Sequence, residues 1–172
     1  MKSTKDPKGD PCAKCPLFPY KASTFTAGAG DVATATLVVV DGSPPQWARA
    51  VPRYHENLQR LHKNVYITYA VKCWPGPGPD QRPPAKAVSL CAQLYLEPEL
   101  AASASSRIVA LGPVAIWALG KKKVAVRTVI GRPWVQKEHL ILGTYHPSEY
   151  DMTGAEIIKT HIRRALRWGA IK

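Results

Sequence analysis

A chain of 172 residues has room for one domain with a single core. Apolar residues at 45% and charged residues at 21% exclude a disordered chain, and the longest apolar run, Ala33 to Val40, falls short of the ~18 residues of a membrane span. Against 12 Asp and Glu stand 24 Lys and Arg, and the net charge of +12 favours a polyanionic partner, nucleic acid before membrane.

Residues 1–11 are polar, basic and broken by Pro7 and Pro11, so they read as a flexible lead-in to a single domain over 12–172. No apolar stretch follows the positive start, which argues against a secretory signal and for a cytoplasmic setting. A loop through Pro16 and Pro19 leads to a turn at Gly28, Gly30 and Asp31. Thr36 to Val40 is a β-branched run with the pattern of a strand buried on both faces, closed by a tight loop at Asp41–Pro45. Tyr54 to His62 has helical spacing, and Val65 to Val71 is a second buried strand. Trp74 to Pro84 holds five prolines and two glycines and reads as a rigid irregular loop.

A helix is expected over Ala85–Leu96, a third strand over Arg107–Leu111, and a helix over Pro113–Leu119 with proline at an early, tolerated position. Gly120 to Lys123 is a basic turn. Leu140 to Tyr145 is a fourth strand running into His146, and a helix over about Thr153–Trp168 ends the chain. Strands alternating with helices predict a three-layer α/β/α sandwich around a mostly parallel sheet, with functional loops at the carboxyl ends of the strands.

The four cysteines are Cys12-x-x-Cys15, then Cys73, then Cys91. In a reducing compartment they are better read as metal or cluster ligands than as disulfides. A zinc ribbon wants a second close pair, which is missing. One tight pair with two dispersed thiolates suits a [4Fe–4S] cluster; a structural zinc site and four unconnected buried thiols are the alternatives. Either metal would staple the N-terminal segment to the proline-rich loop and the helix after it.

Five segments occur in order: Cys12-Ala-Lys-Cys15-Pro-Leu17, Val65-Tyr-Ile-Thr-Tyr-Ala-Val-Lys-Cys73, Cys91 before Leu96-Glu-Pro-Glu-Leu100, Ile108-Val-Ala-Leu-Gly112 and Thr144-Tyr-His-Pro-Ser148. Together they resemble the iron–sulfur, family-four type of uracil-DNA glycosylases, from residue 12 to about 168. The resemblance implies a uracil-DNA glycosylase-like α/β/α sandwich with a [4Fe–4S] cluster on Cys12, Cys15, Cys73 and Cys91. It also implies a protein that flips uracil out of DNA into a pocket and cleaves its glycosidic bond.

Carried over by position, His146 would donate a hydrogen bond to the leaving base, and Pro147 and Ser148 would press on the DNA backbone. The family's first motif falls on Asp41 to Pro45 and sets Gly42 and Ser43 against the base. The water-positioning acid of that motif falls on Gly42, leaving Asp41 as the adjacent carboxylate. Where the family reads uracil with an asparagine, this chain has Tyr69, which offers one hydroxyl and more bulk. The family's stacking loop has no counterpart, and Trp47 and Tyr54 are the available aromatics.

Lys121, Lys122 and Lys123 are candidates for phosphate contacts, with Arg127, Arg132, Arg163, Arg164 and Arg167 as further cations. Trp74 and Trp134 read as packing residues, and His55, His62, His139 and His161 as surface residues. The expectation is a monomeric, DNA-acting base-excision protein for uracil or a modified pyrimidine. The alternatives are a DNA-binding member of the same fold with altered or lost catalysis and, further off, a zinc-stapled RNA-binding domain.

Overall fold

The computed structural model describes residues 9–31, 33, 36–42, 65–73, 83–120, 124–145 and 152–167. The expected helix over 54–62, the loop at 43–45, most of the proline-rich loop, Trp47, Trp74, the Lys121–Lys123 turn and His146–Ser148 lie outside these residues.

Five strands form one sheet: β1 (Thr36–Gly42), β2 (Val65–Val71), β3 (Arg107–Leu111), β4 (Pro133–Gln136) and β5 (His139–Thr144), in the order β2-β1-β3-β5-β4. The first four in that order run parallel, and β4 is an antiparallel edge. The described helices are α1 (Lys21–Thr24), α2 (Ala85–Cys91), α3 (Glu97–Ala102), α4 (Pro113–Ala118), α5 (Val126–Val129) and α6 (Met152–Arg167), and a π-helical segment, Ala92–Leu96, joins α2 to α3. None of them is long and apolar enough to cross a membrane.

Period-two alternation sorts the strand residues into two cores. Tyr66, Ala70, Ile108, Ala110 and Ile141 face a layer built from Leu17, Val88, Leu96, Val114, Ala115 and Ile116. Val65, Ile67, Tyr69, Val109, Leu111 and Leu142 face Ile158, Ile162 and Ala165, which recur at helical spacing along α6. Helices thus cover both sides of the sheet, with β2, β3 and β5 contributing buried residues to both faces, the α/β/α arrangement anticipated from the sequence. Each fully buried Val, Leu or Ile contributes about 1.5–3 kcal/mol.

Two glycines permit close geometry. Gly112, at φ 97° and ψ 174°, caps the start of α4 in a conformation essentially closed to other residues, and its N–H reaches the Thr144 carbonyl at 3.0 Å. At Gly143 a Cβ would meet Ile116 Cδ1 and Trp134 Cζ3 at 3.2 Å each, so the missing side chain lets α4 and β4 close over β5. Trp134 is half-buried, and its indole N–H points to the Leu119 carbonyl at 3.4 Å, a packing role.

Several segments differ from expectation. The stretch through Pro16 and Pro19 is wound into a 3-10 turn (Phe18–Tyr20) and then α1, because proline is tolerated in a first helical turn. Asp10, placed in the lead-in, organises the turn that follows: its carboxylate accepts the Cys12 N–H at 2.8 Å and the Lys21 ammonium at 2.6 Å. The chain then runs along the outer edge of β2, where Ala29 exchanges both backbone hydrogen bonds with Ile67 and the Thr26 N–H reaches the Lys72 carbonyl at 2.8 Å. That covers an otherwise open strand edge. The helix expected to stop at Leu96 continues to Ala102.

Candidate cysteine centre and carboxyl edge of the sheet

The four cysteines arrive from three places. Cys12 and Cys15 sit in successive tight turns, in which the Cys15 N–H donates to the Cys12 carbonyl at 2.8 Å and the Phe18 N–H to the Cys15 carbonyl at 3.0 Å. Cys73 lies two residues past β2, and Cys91 ends α2. All four are free thiols, between 5% and 9% exposed, and belong to one apolar cluster.

Burial pushes the Cys73 thiol up to about 12, reinforced by Cys91, Cys12 and Cys15 and opposed by Lys21. Burial likewise raises Cys91, with Cys15 and Cys12 adding to it, while the Lys72 backbone N–H, donated to its sulfur, works the other way. Four neighbouring buried thiolates therefore need a compensating cation. An all-sulfur donor set in such a place fits a soft metal centre. Among the described residues no group of three or more His, Cys, Asp or Glu is arranged so that it could hold a metal ion.

Around the thiols lies a polar shell. The Tyr95 hydroxyl is 3.0 Å from Cys12 Sγ, and its ring meets Phe25 edge-on at 5.3 Å between centroids. Burial, then the Cys12 contact, raises the Tyr95 phenol to about 12. Lys21 Nζ, paired with Asp10, sits 5.9 Å from the Phe25 ring centroid. Burial works against the Lys21 charge, but the Asp10 carboxylate outweighs it and lifts the ammonium above its usual range.

Beneath the thiols, Lys72 is 1% exposed, and its ammonium reaches Glu99 Oε1 at 2.7 Å, Glu99 Oε2 at 2.9 Å and the Thr68 hydroxyl. Glu99 also accepts the Thr68 hydroxyl at 2.5 Å and the Tyr66 hydroxyl at 3.3 Å. Burial lowers the Lys72 pKa while Glu99 opposes the shift, and burial with Glu99 raises Tyr66 to about 12.

Sequence reading did not single out Lys72, Tyr95 or Glu99 as site residues. The available signal was spacing: Cys91, Tyr95 and Glu99 recur every four residues, one helical face. Pro98 lacks the N–H that would close on Leu94, and the π-helical turn just before it lets the helix pass through rather than end.

The second feature is the carboxyl edge of the sheet. Register places Gly42 beside Val71, Val40 beside Leu111, and Leu111 beside Thr144, so β1, β2, β3 and β5 all end on one side. In an open parallel sheet this is where ligands bind. Asp41 and Gly42 are the last residues of β1, and His146 follows β5 by two residues.

Tyr69 is 2% exposed on the α6 side, and burial raises its phenol well above the ordinary value. Ser43, Trp47, Lys121, Lys122, Lys123, His146, Pro147 and Ser148 lie outside the described residues. His161, expected at the surface, is half-buried instead: Nδ1 lies 2.8 Å from the Thr144 hydroxyl at the end of β5. Burial, then Arg164, lowers its pKa. Arg164 in turn donates to the Gly131 carbonyl at 3.0 Å. His139 is also half-buried, with Nδ1 3.3 Å from the Ser105 carbonyl.

Comparison with curated proteins yields no match. Residues 31–168 match the sequence model of the Uracil DNA glycosylase superfamily, a span that contains every strand of the sheet and the whole of α6. The match covers most of the chain and agrees with the mostly parallel α/β sheet, and the chain belongs to the uracil DNA glycosylase superfamily.

Proposed function

We propose that this protein is a base-excision protein of the iron–sulfur branch of its superfamily. It draws a uracil or modified pyrimidine out of DNA into the crevice at the carboxyl edge of the sheet and cleaves its N-glycosidic bond. The observation that carries this reading is the family match across residues 31–168, joined to four strands ending on one edge.

In the reaction the C1′–N1 bond breaks with its electron pair going to the base. A water oxygen bonds to C1′, and a water proton ends on the released base. His146, two residues beyond β5, donates to the base oxygen on which charge develops. Asp41, at the end of β1, positions the water. Gly42 and Ser43 allow the base to approach the backbone closely, Tyr69 and Trp47 supply pocket wall and stacking surface, and Pro147, Ser148 and Lys121–Lys123 hold phosphates.

Cys12, Cys15, Cys73 and Cys91 hold a [4Fe–4S] cluster in this reading. When bound it supplies positive charge to the buried thiolates and a covalent staple between the N-terminal turn, the end of β2 and α2. A cubane spreads its four thiolates over four corners, which suits one close pair, Cys12 and Cys15, joined by two cysteines from separate elements. Colour separates the two: a cluster protein absorbs near about 400 nm and a zinc protein is colourless.

The test is incubation with oligonucleotides carrying a single uracil or modified base, followed by alkaline cleavage of abasic sites. Strand breaks at one base, lost in His146→Ala, support the reading. Absence of product across the panel from cluster-loaded protein overturns it. A second reading, DNA binding with altered or lost catalysis, is favoured by Gly42 at the acid position and by the buried Tyr69. Salt-sensitive binding without base release selects it.

A further inference from the structure

We infer that the pair of buried Lys72 and half-buried Glu99 is a positioning latch for the cysteine centre, holding the Cys73 end of β2 against the Cys91 helix so that the two ligands stand in register. This rests on the cluster assignment above.

Lys72 is fixed through every polar group it has. Its backbone N–H is donated to the Cys91 sulfur, its carbonyl accepts the Thr26 N–H at 2.8 Å, and its ammonium reaches both oxygens of Glu99. It directly precedes Cys73. Glu99 lies on the same continuous helical stretch as Cys91, two repeats of four residues further on, and Tyr95, bonded to Cys12, lies between them. One residue therefore grips the ligand helix at two points, at its ligand by main chain and at Glu99 by side chain. The carboxylate is held further by Thr68 and Tyr66 from the same face of β2.

An ion pair is a poor way to stabilise this place. Desolvating the lysine fully and the glutamate in part offsets much of their attraction, and an apolar pair of similar volume often serves as well or better. What the charged pair adds is direction: a carboxylate with donors from Lys72, Thr68 and Tyr66 has one satisfactory arrangement, whereas apolar surfaces slide. Outer-shell partners of metal ligands act in this way, and losing one costs about 10–100-fold in metal affinity.

The experiment compares the parent, Lys72→Met, the double variant Lys72→Met/Glu99→Leu, and Thr68→Val. Each is reconstituted anaerobically with iron and sulfide. Three quantities are read: iron and sulfide per chain, the rate of loss of the visible band to a chelator, and the melting temperature of the apo protein. Lys72→Met strands the carboxylate and loses both stability and cluster. The double variant regains apo stability, but its cluster bleaches about tenfold faster than the parent's. Thr68→Val, a near-isosteric loss of one donor, bleaches faster by a smaller factor and keeps the test open if the double variant does not fold.

Bleaching at the parent's rate in a stable double variant, or in Thr68→Val if that double variant does not fold, overturns the latch and leaves the cluster assignment standing. A parent chain that takes up no iron and sulfide overturns the cluster assignment and the latch with it.

Discussion

The Tyr95 hydroxyl and the Cys12 sulfur stand 3.0 Å apart although 83 residues separate them in sequence. The contact joins the N-terminal turn to the π-helical segment within one core cluster.

Removing that hydroxyl tests its weight. Tyr95→Phe keeps the ring against Phe25 and deletes one hydrogen bond, so a stability loss of about 1 kcal/mol is expected in urea unfolding. In cluster-loaded protein the visible band should also fade faster, because one sulfur loses a donor. An unchanged midpoint and an unchanged fading rate would show the contact to be incidental.

His161 makes stability depend on pH. Its folded pKa is held below the ordinary 6.5 by burial and by Arg164, so the folded chain resists a proton that the unfolded chain accepts. Stability is therefore full above about 6.5 and declines as pH falls from there toward the lower folded value. His161→Gln, which cannot take up the proton, should flatten that part of the profile, as followed by melting temperature between about pH 7.5 and 5.

Gly143 sits where Ile116 and Trp134 close over β5. Gly143→Val forces branched carbon into that contact and is expected to cost about 1–3 kcal/mol. Gly143→Ala should cost less, because only one carbon must be accommodated. Denaturant midpoints read both, and equal stability of all three chains would mean that the neighbours yield freely.

DNA affinity should fall steeply with salt, as expected for a chain of net charge +12. Each lysine of Lys121–Lys123 that meets a phosphate contributes about 0.9 to the log–log slope. Replacing all three with alanine should flatten the slope while leaving the choice of base unchanged. Fluorescence anisotropy across a salt series measures this, and an unaltered slope would remove those residues from the interface.

β2 and β3 were legible because burial on both faces leaves an unbroken apolar, β-branched signature. Val65–Val71 and Arg107–Leu111 have the bounds expected from it. β4 was not, since the four residues of Pro133–Gln136 are mostly exposed and carry no alternation. α5 is likewise a single short turn with no buried residue. The helix expected over Ala85–Leu96 runs on to Ala102, because the π-helical turn accommodates Pro98. The cysteines drew attention by type, whereas their partners Tyr95, Lys72 and Glu99 are ordinary residues whose meaning comes from distant contacts. His161 read as a surface residue for the same reason, its partner Thr144 being on another element.

The stretch from Cys91 to Glu99 behaves as a key with three teeth: sulfur, phenol and carboxylate. Each added residue turns a helix by roughly 100°. One extra or missing residue between the first tooth and the second would swing phenol and carboxylate away from their partners together. The exposed positions between them, Gln93 and Glu97, can be exchanged, but the length of this stretch is fixed.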